Sequence, residues 1–151
     1  MATIRVQTQD FDTAAEAEAL TAGRADVGAL VTFVGLCRDE GGRLAALELE
    51  HYPGMAEEEI ARVVAEAEAR WPLMGVTVIH RSGRIAPGER IVFVATASAH
   101  RAAAFAAADF LMDYLKTRAP FWKKEHLVAG GCSGWVAAKE DDDRAAERWA
   151  T

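Results

Sequence analysis

The chemistry-bearing residues of this chain are concentrated in one stretch. From His100 to Lys124 it carries five cations, Arg101, Lys116, Arg118, Lys123 and Lys124, against two anions, Asp109 and Asp113, in a protein of net charge −6. A local basic segment on an acidic protein suits a small anionic ligand; a long polyanion would need a broad basic surface. In SAHRAAAF, Ser98–Phe105, His100 and Arg101 stand where a strand end meets a helix start. The free N–H groups and positive dipole end of such a start receive phosphates and carboxylates, and Arg101 adds a bidentate fork. The plainer alternative is that His100 caps the helix and Arg101 is solvated. In LKTRAPFWKKE, Leu115–Glu125, Lys116 falls in the last helical turn and Lys123 in the next strand. The Ala119-Pro120 corner folds the chain back between them, so the two amines can converge. Mutual repulsion would then favour a free amine on one, a nucleophile or proton shuttle, and leave the other as an anion clamp. Against this, the helix dipole favours lysines at helix C-termini in any protein.

A third candidate is GLCR, Gly35–Arg38, where Arg38 at a strand end is set to point into a cleft. Cys37 beside that cation could be an activated thiol, although no general-base partner is identifiable for it. His51 shares its strand face with Leu47 and Leu49 and reads as a core or subunit-contact histidine. His80, followed by Arg81, has no assigned role. Phe121 and Trp122 read as core or interface aromatics. No His/Asp/Glu spacing suggests a metal site, and neither a P-loop nor a GxGxxG motif is present.

The elements that must hold these residues follow from the apolar pattern. Thr3–Gln7 predicts a short strand, and 11–22 a helix with Asp12 or Thr13 as its N-cap. Val27–Val34 is apolar almost throughout, the pattern of a central strand covered on both faces. Leu44–Tyr52 alternates, with Leu47 and Leu49 opposed to Glu48 and Glu50, and Pro53-Gly54 stops it. Ala56–Trp71 is an amphipathic helix carrying Ile60, Val63, Val64 and Ala67 on one face. Val76–Arg81 and Arg90–Ser98 are strands, with a type II turn expected at Pro87-Gly88. His100–Thr117 is a long helix whose apolar residues exceed one narrow stripe, so it packs deeply or lies at an interface. Pro120 ends it. Phe121–Val128 and Trp135–Ala138 predict a hairpin around Gly130-Gly131, and Asp141–Trp149 a last short helix. Strands and helices mix without strict βαβ alternation. That order predicts an α+β two-layer fold with a largely antiparallel sheet, in a single domain spanning 1–151.

Composition sets the class. With 151 residues, 51% hydrophobic and 26% charged, the chain has the make-up of an ordinary globular protein. No secretory signal or membrane span is expected, and the two separated cysteines, Cys37 and Cys132, suit a reduced cytoplasmic protein without structural zinc.

Five stretches, GALVTFVGLCR, LELEHYPGMAEEEI, RWPLMGVTVIHRSG, PGERIVFVATASAHRAAAF and MDYLKTRAPFWKKE, together resemble the MoaE family, the large subunits of molybdopterin synthases. They run from Gly28 to Glu125, and the joint presence of HYPGM, SAHR and LKTRAPFWKKE is specific. The resemblance implies an α/β hammerhead fold and a sulfurtransferase of molybdenum cofactor biosynthesis without a cofactor of its own. It would convert cyclic pyranopterin monophosphate into molybdopterin, installing two dithiolene sulfurs. The sulfur would arrive as a thiocarboxylate on the C-terminal glycine of a small ubiquitin-like partner. That donor is expected to be a separate chain, because this one has no Gly-Gly terminus. The family's assembly is a large-subunit homodimer with a small subunit at each end, a heterotetramer. Position by position, Lys116 matches the essential pocket lysine and Lys123 the second catalytic lysine. Arg38, His100 and Arg101 match residues that bind the pterin and its phosphate, with Leu36, Cys37, Lys124 and Glu125 lining the same pocket. Lys139 stands where some relatives have an arginine, and 126–134 matches nothing functional. Two other readings are a non-catalytic module that binds a pterin phosphate or a ubiquitin-like protein, and a different phosphate-ligand transferase on the same fold.

Overall fold

The computed structural model describes residues 2–39, 41–135, 144 and 146–150. The order of elements is β1 (Ala2–Gln7), α1 (Thr13–Thr21), β2 (Ala29–Leu36), β3 (Leu44–His51), α2 (Met55–Arg70), β4 (Leu73–Arg81), β5 (Gly83–Ile85), β6 (Arg90–Ser98), α3 (Arg101–Thr117) and β7 (Phe121–Leu127). Two sheets result, one of four strands in the order β1-β4-β6-β2 and one of three in the order β5-β3-β7. All pairings are antiparallel except that of β1 with β4. The fold is therefore α+β with largely antiparallel sheets, as the element pattern predicts.

Alternation along β4 and β6 explains the layers. Val76, Val78, Val92 and Val94 face one side, where Ile60, Val63 and Val64 of α2 and Phe110, Leu111 and Leu115 of α3 close over them. Ile79, Phe93 and Ala95 face the other side, against Phe11 and the Ala17–Leu20 face of α1. Successive strand residues point to opposite faces, so only strands covered on both sides can be apolar at consecutive positions. Burial of side chains such as Phe110 and Ile60, each fully enclosed, stabilises by about 1.5–3 kcal/mol apiece. Thr96 fixes the start of α3: its buried hydroxyl donates to the Ala104 carbonyl at 2.7 Å.

Helix ends follow the local chemistry. The Asp12 carboxylate accepts from the Ala15 N–H at 3.1 Å and caps α1. At α2, Gly54 takes a positive φ of 87° and Glu57 accepts from its N–H. The Pro87-Gly88 turn is closed by the Glu89 N–H donating to the Ala86 carbonyl, with Gly88 at φ 88°, the left-handed value a type II turn requires.

Two expectations need correction. The apolar run predicted as a central strand forms β2, which pairs only with β6 and lies at the sheet edge; Leu30, Phe33 and Leu36 remain exposed. Continuous apolarity marks surfaces that leave water somewhere, and does not say that this chain alone covers them. The short strand β5 was not expected between Ser82 and Pro87; three residues carry too little period to read. Of the predicted last hairpin, the described part consists of β7, a turn in which the Gly130 N–H donates to the Leu127 carbonyl, and a bridge between His126 and Cys132. Residues 136–138, Lys139 and the start of the predicted last helix lie outside the described residues. Arg148 and Trp149 of that segment both donate to Asp113 of α3.

Candidate active site

Strand direction collects most of the predicted site at one end of the four-stranded sheet. Because β2 and β4 both run antiparallel to β6, they finish at the same end of the sheet, on either side of the start of β6: Leu36 pairs with Arg90 and His80 with Val92. Helix α3 leaves the opposite edge after Ser98 and returns across the sheet, so its last turn, carrying Lys116, comes back to this end. The three-stranded sheet adjoins it. Cys37 packs on Leu49 of β3 and Ile85 of β5, and β7 pairs with β3 along its length.

The corner between α3 and β7 is held from both sides. The Arg118 N–H donates to the Tyr114 carbonyl at 2.7 Å and its guanidinium pairs with Glu66 of α2 at 2.9 Å. The Phe121 N–H donates to the Ala119 carbonyl, and the Phe121 ring stacks flat on the His80 imidazole with centroids 3.9 Å apart. His51, opposite Phe121 in the strand register, lies on the same ring at 5.6 Å. The corner thus turns β7 so that Lys123, two residues beyond Phe121, lies on the same strand face as Phe121 and Glu125. Lys116 is close enough to His80 for its charge to act on the ring. The imidazole is held neutral, its pKa lowered to about 4, first because burial penalises the cation and then because Lys116 and His51 repel a proton there.

The other predicted residues divide. Arg38 is exposed just beyond β2. Glu125 shares the Lys123 face, and its charge reaches Cys37. Cys37 itself is 3% exposed. Its N–H donates to the Glu89 carbonyl and its carbonyl accepts from Gly88. Burial pushes its thiol up, as do the charges of Glu89, Asp39 and Glu125. The activated-thiol expectation is therefore corrected: the neighbouring charges that matter are acidic, and Cys37 is packing. Lys124 points to the opposite face of β7 from Lys123, since adjacent strand residues must; its ammonium lies 4.2 Å from the Trp135 ring centre, with Glu48 opposite in the register. Leu36 lines a depression of about 470 Å³ with Asp10, Thr13, Val34, Gly88, Glu89 and Arg90, away from the lysines.

His100 and Arg101 sit at the far end of α3. His100 occupies the N-cap position, but its side chain makes no capping bond, contrary to the plainer reading, and both residues are exposed. Sixteen residues of helix separate His100 from Lys116, about 24 Å at 1.5 Å per residue. One chain does not bring them together. The His126–Glu48 pair, 2.8 Å across the sheet, and the His80–Phe121 stack were not legible as contacts, because both depend on which strands become neighbours.

Comparison with known proteins gives this geometry its context. The family described as MoaE protein matches residues 6–118, three-quarters of the chain. The chain belongs to the MoaE family. A molybdopterin synthase catalytic subunit of Mesorhizobium japonicum is 71% identical over 147 residues, 97% of this chain and 92% of that protein. Among solved structures, a molybdopterin biosynthesis MoaE protein from Burkholderia ambifaria superposes with a TM-score of 0.86 at 52% identity, covering 100% of this chain and 99% of that one. A complex of subunits 1 and 2 of the molybdopterin-converting factor from Helicobacter pylori matches with a TM-score of 0.70 at 19% identity, covering 92% and 90%, a likeness of fold alone. As a MoaE protein, the chain has the α+β architecture of these relatives throughout its described residues. Among these residues no helix is long and apolar enough to cross a membrane, and no cluster of three or more His, Cys, Asp or Glu could hold a metal ion.

Proposed function

We propose that this chain is the catalytic subunit of a cytoplasmic molybdopterin synthase, a sulfurtransferase that moves sulfur from the thiocarboxylated tail of a small ubiquitin-like partner onto cyclic pyranopterin monophosphate. What supports this reading is membership of this family, with Lys116 in the last turn of α3 and Lys123 and Glu125 on the Phe121 face of the strand that follows. An acyl thiocarboxylate needs a positioned amine that polarises it, moves a proton or traps the acyl group. Lys116, in the exposed last turn of α3, is that amine. Lys123, on the Phe121 face of β7, is its catalytic partner, and Arg38 supplies charge for the anionic substrate.

His100 and Arg101 form the phosphate cradle through the open N-terminus of α3, where unpaired N–H groups and the helix dipole favour an anion. A pterin monophosphate is far shorter than the roughly 24 Å between that cradle and Lys116 along the helix. The cradle therefore serves the lysines of a second copy, in a homodimer with one small subunit at each end. The exposed apolar residues of β2 and Phe105 of α3, 62% exposed, suit burial in such an assembly.

The test is reconstitution: this protein, a thiocarboxylated small subunit and cyclic pyranopterin monophosphate, with product read as an oxidised fluorescent pterin. Lys116→Ala is expected to abolish product while the fold and the complex persist. Complex formation without turnover by the unaltered protein would instead mark a binding module.

A further inference from the structure

Arg38 carries its charge on a loop, whereas Lys116 and Lys123 are held by a helix and a strand. The residue itself is exposed, yet the backbone on both sides of it is fixed. On the N-terminal side, Cys37 is tied to the turn between β5 and β6. Its N–H donates to the Glu89 carbonyl at 2.8 Å, and its carbonyl accepts from the Gly88 N–H at 2.7 Å. That turn is closed twice: the Glu89 N–H donates to the Ala86 carbonyl at 3.0 Å, and the Glu89 carboxylate accepts from the Ala86 N–H at 2.6 Å. The Cys37 side chain packs on Leu49 and Ile85.

On the C-terminal side, half-buried Asp39 supplies the tie. Its Oδ1 accepts from the Leu44 N–H at 3.0 Å. Leu44 is the first residue of β3, paired with Leu127 of β7 and packed against the Cys37 cluster. Between Asp39 and Leu44, Gly41 and Gly42 take φ values of 74° and 73°. Glycine is the most freely moving of residues, so this loop gains order from the bond that closes it. The proposed reaction gives Asp39 no part, and a carboxylate beside an anion-binding arginine opposes the ligand's charge. Its oxygen is instead committed to a backbone N–H.

We propose that Asp39 is a positioning residue for Arg38: by accepting from the Leu44 N–H it anchors the loop to β3, so that Arg38, tied on its other side through Cys37 to the 86–89 turn, meets the anionic substrate from a fixed backbone. This rests on the reading above, in which Arg38 supplies charge for that substrate. An arginine on a loose loop loses backbone as well as side-chain freedom when it grips an anion. One on a pinned backbone loses the side-chain freedom alone, and binding is tighter by the difference. The effect therefore falls on substrate affinity and leaves the sulfur-transfer step, which Lys116 and Lys123 carry, as it is.

The experiment compares Asp39→Ala, Asp39→Asn, Arg38→Ala and the Arg38→Ala/Asp39→Ala double variant in the reconstituted assay, at varied concentrations of cyclic pyranopterin monophosphate. Asp39→Ala is expected to raise KM about 5-fold, the scale on which ordering one flexible group acts, with kcat within about twofold of the unaltered protein. Asp39→Asn keeps an oxygen that accepts from the same N–H and should bring KM back to within about twofold. Arg38→Ala should lower kcat/KM further. Adding Asp39→Ala to it should change kcat/KM by less than about twofold, since a residue that acts only through Arg38 then has nothing to act on. General loosening of the fold would instead lower kcat and the melting temperature, and its effect would multiply with that of Arg38→Ala. An unchanged KM in Asp39→Ala, equal losses in the Ala and Asn variants, or multiplying effects in the double variant would each overturn the proposal. If Arg38→Ala weakens substrate binding while Asp39→Ala is normal, only this inference fails. If Arg38→Ala turns over normally, the role assigned to Arg38 fails and this inference with it.

Discussion

Acidifying a solution of this protein from about pH 7.5 toward pH 4 makes the unfolded chain bind a proton at His80 that the folded chain refuses. The imidazole titrates near 6.5 when free and at about 4 in the fold, because burial and the neighbouring Lys116 and His51 oppose its charge. The unfolded state therefore holds more protons between these values, and stability rises with pH across that window. The contribution is fully present above about pH 6.5 and lost as the pH falls toward 4. One pKa unit corresponds to about 1.36 kcal/mol, so the whole window spans at most about 3 kcal/mol, of which about 2 kcal/mol is gone by pH 5. Denaturant unfolding of the unaltered protein and of His80→Phe, followed at several pH values, isolates this effect. Asp10 and Asp26, whose carboxyls are held low chiefly by Arg90 and Arg24 respectively, contribute equally to both proteins and cancel. The stability difference between the two proteins should shift by about 2 kcal/mol in favour of His80→Phe between neutrality and pH 5. A difference that stays constant with pH would refute the reasoning and mean that the ring is hydrated in the fold.

Other consequences are open to direct measurement. Mixing Lys116→Ala with Arg101→Ala protein, each inactive alone, should restore about a quarter of the activity: half of the dimers are mixed, and one of their two sites is intact. No recovery after verified subunit exchange would mean that the cradle and the lysines act within one chain. Phe110→Ala, which opens a cavity under Trp71 and Trp149, should cost about 3–5 kcal/mol in thermal or denaturant unfolding. Gly28→Ala would bring a Cβ within 2.1 Å of the Ala99 carbonyl oxygen, so the β2 entry must shift; a loss of about 1–3 kcal/mol is expected, and an unchanged melting temperature would count against the close approach. A thiol reagent should modify exposed Cys132 at once and buried Cys37 only on unfolding, read as one fast equivalent followed by one slow equivalent.

Most of the elements, and the Asp12 cap of α1, were legible in the sequence. Three-to-four-residue apolar spacing in 56–71, alternation in 44–52, Asp12 before α1, Pro87-Gly88 and Pro120 are local signals, and local sterics and hydrogen bonding act on them directly. It also placed Lys116 at a helix end and Lys123 in the following strand, since both depend on neighbours within a few residues. Tertiary structure decided everything that depends on which strands pair. The same apolar run can be a central or an edge strand, and β2 became an edge because its one partner is β6, which has β4 on its other side. The face of Lys124, the burial that keeps Cys37 unreactive, and the 24 Å that separates His100 from Lys116 all follow from pairing and helix direction. His80 is the clearest case. Its neighbours come from β3, α3 and β7, distant in the chain, and only long-range contact could turn an ordinary strand histidine into a neutral ring beside the lysine.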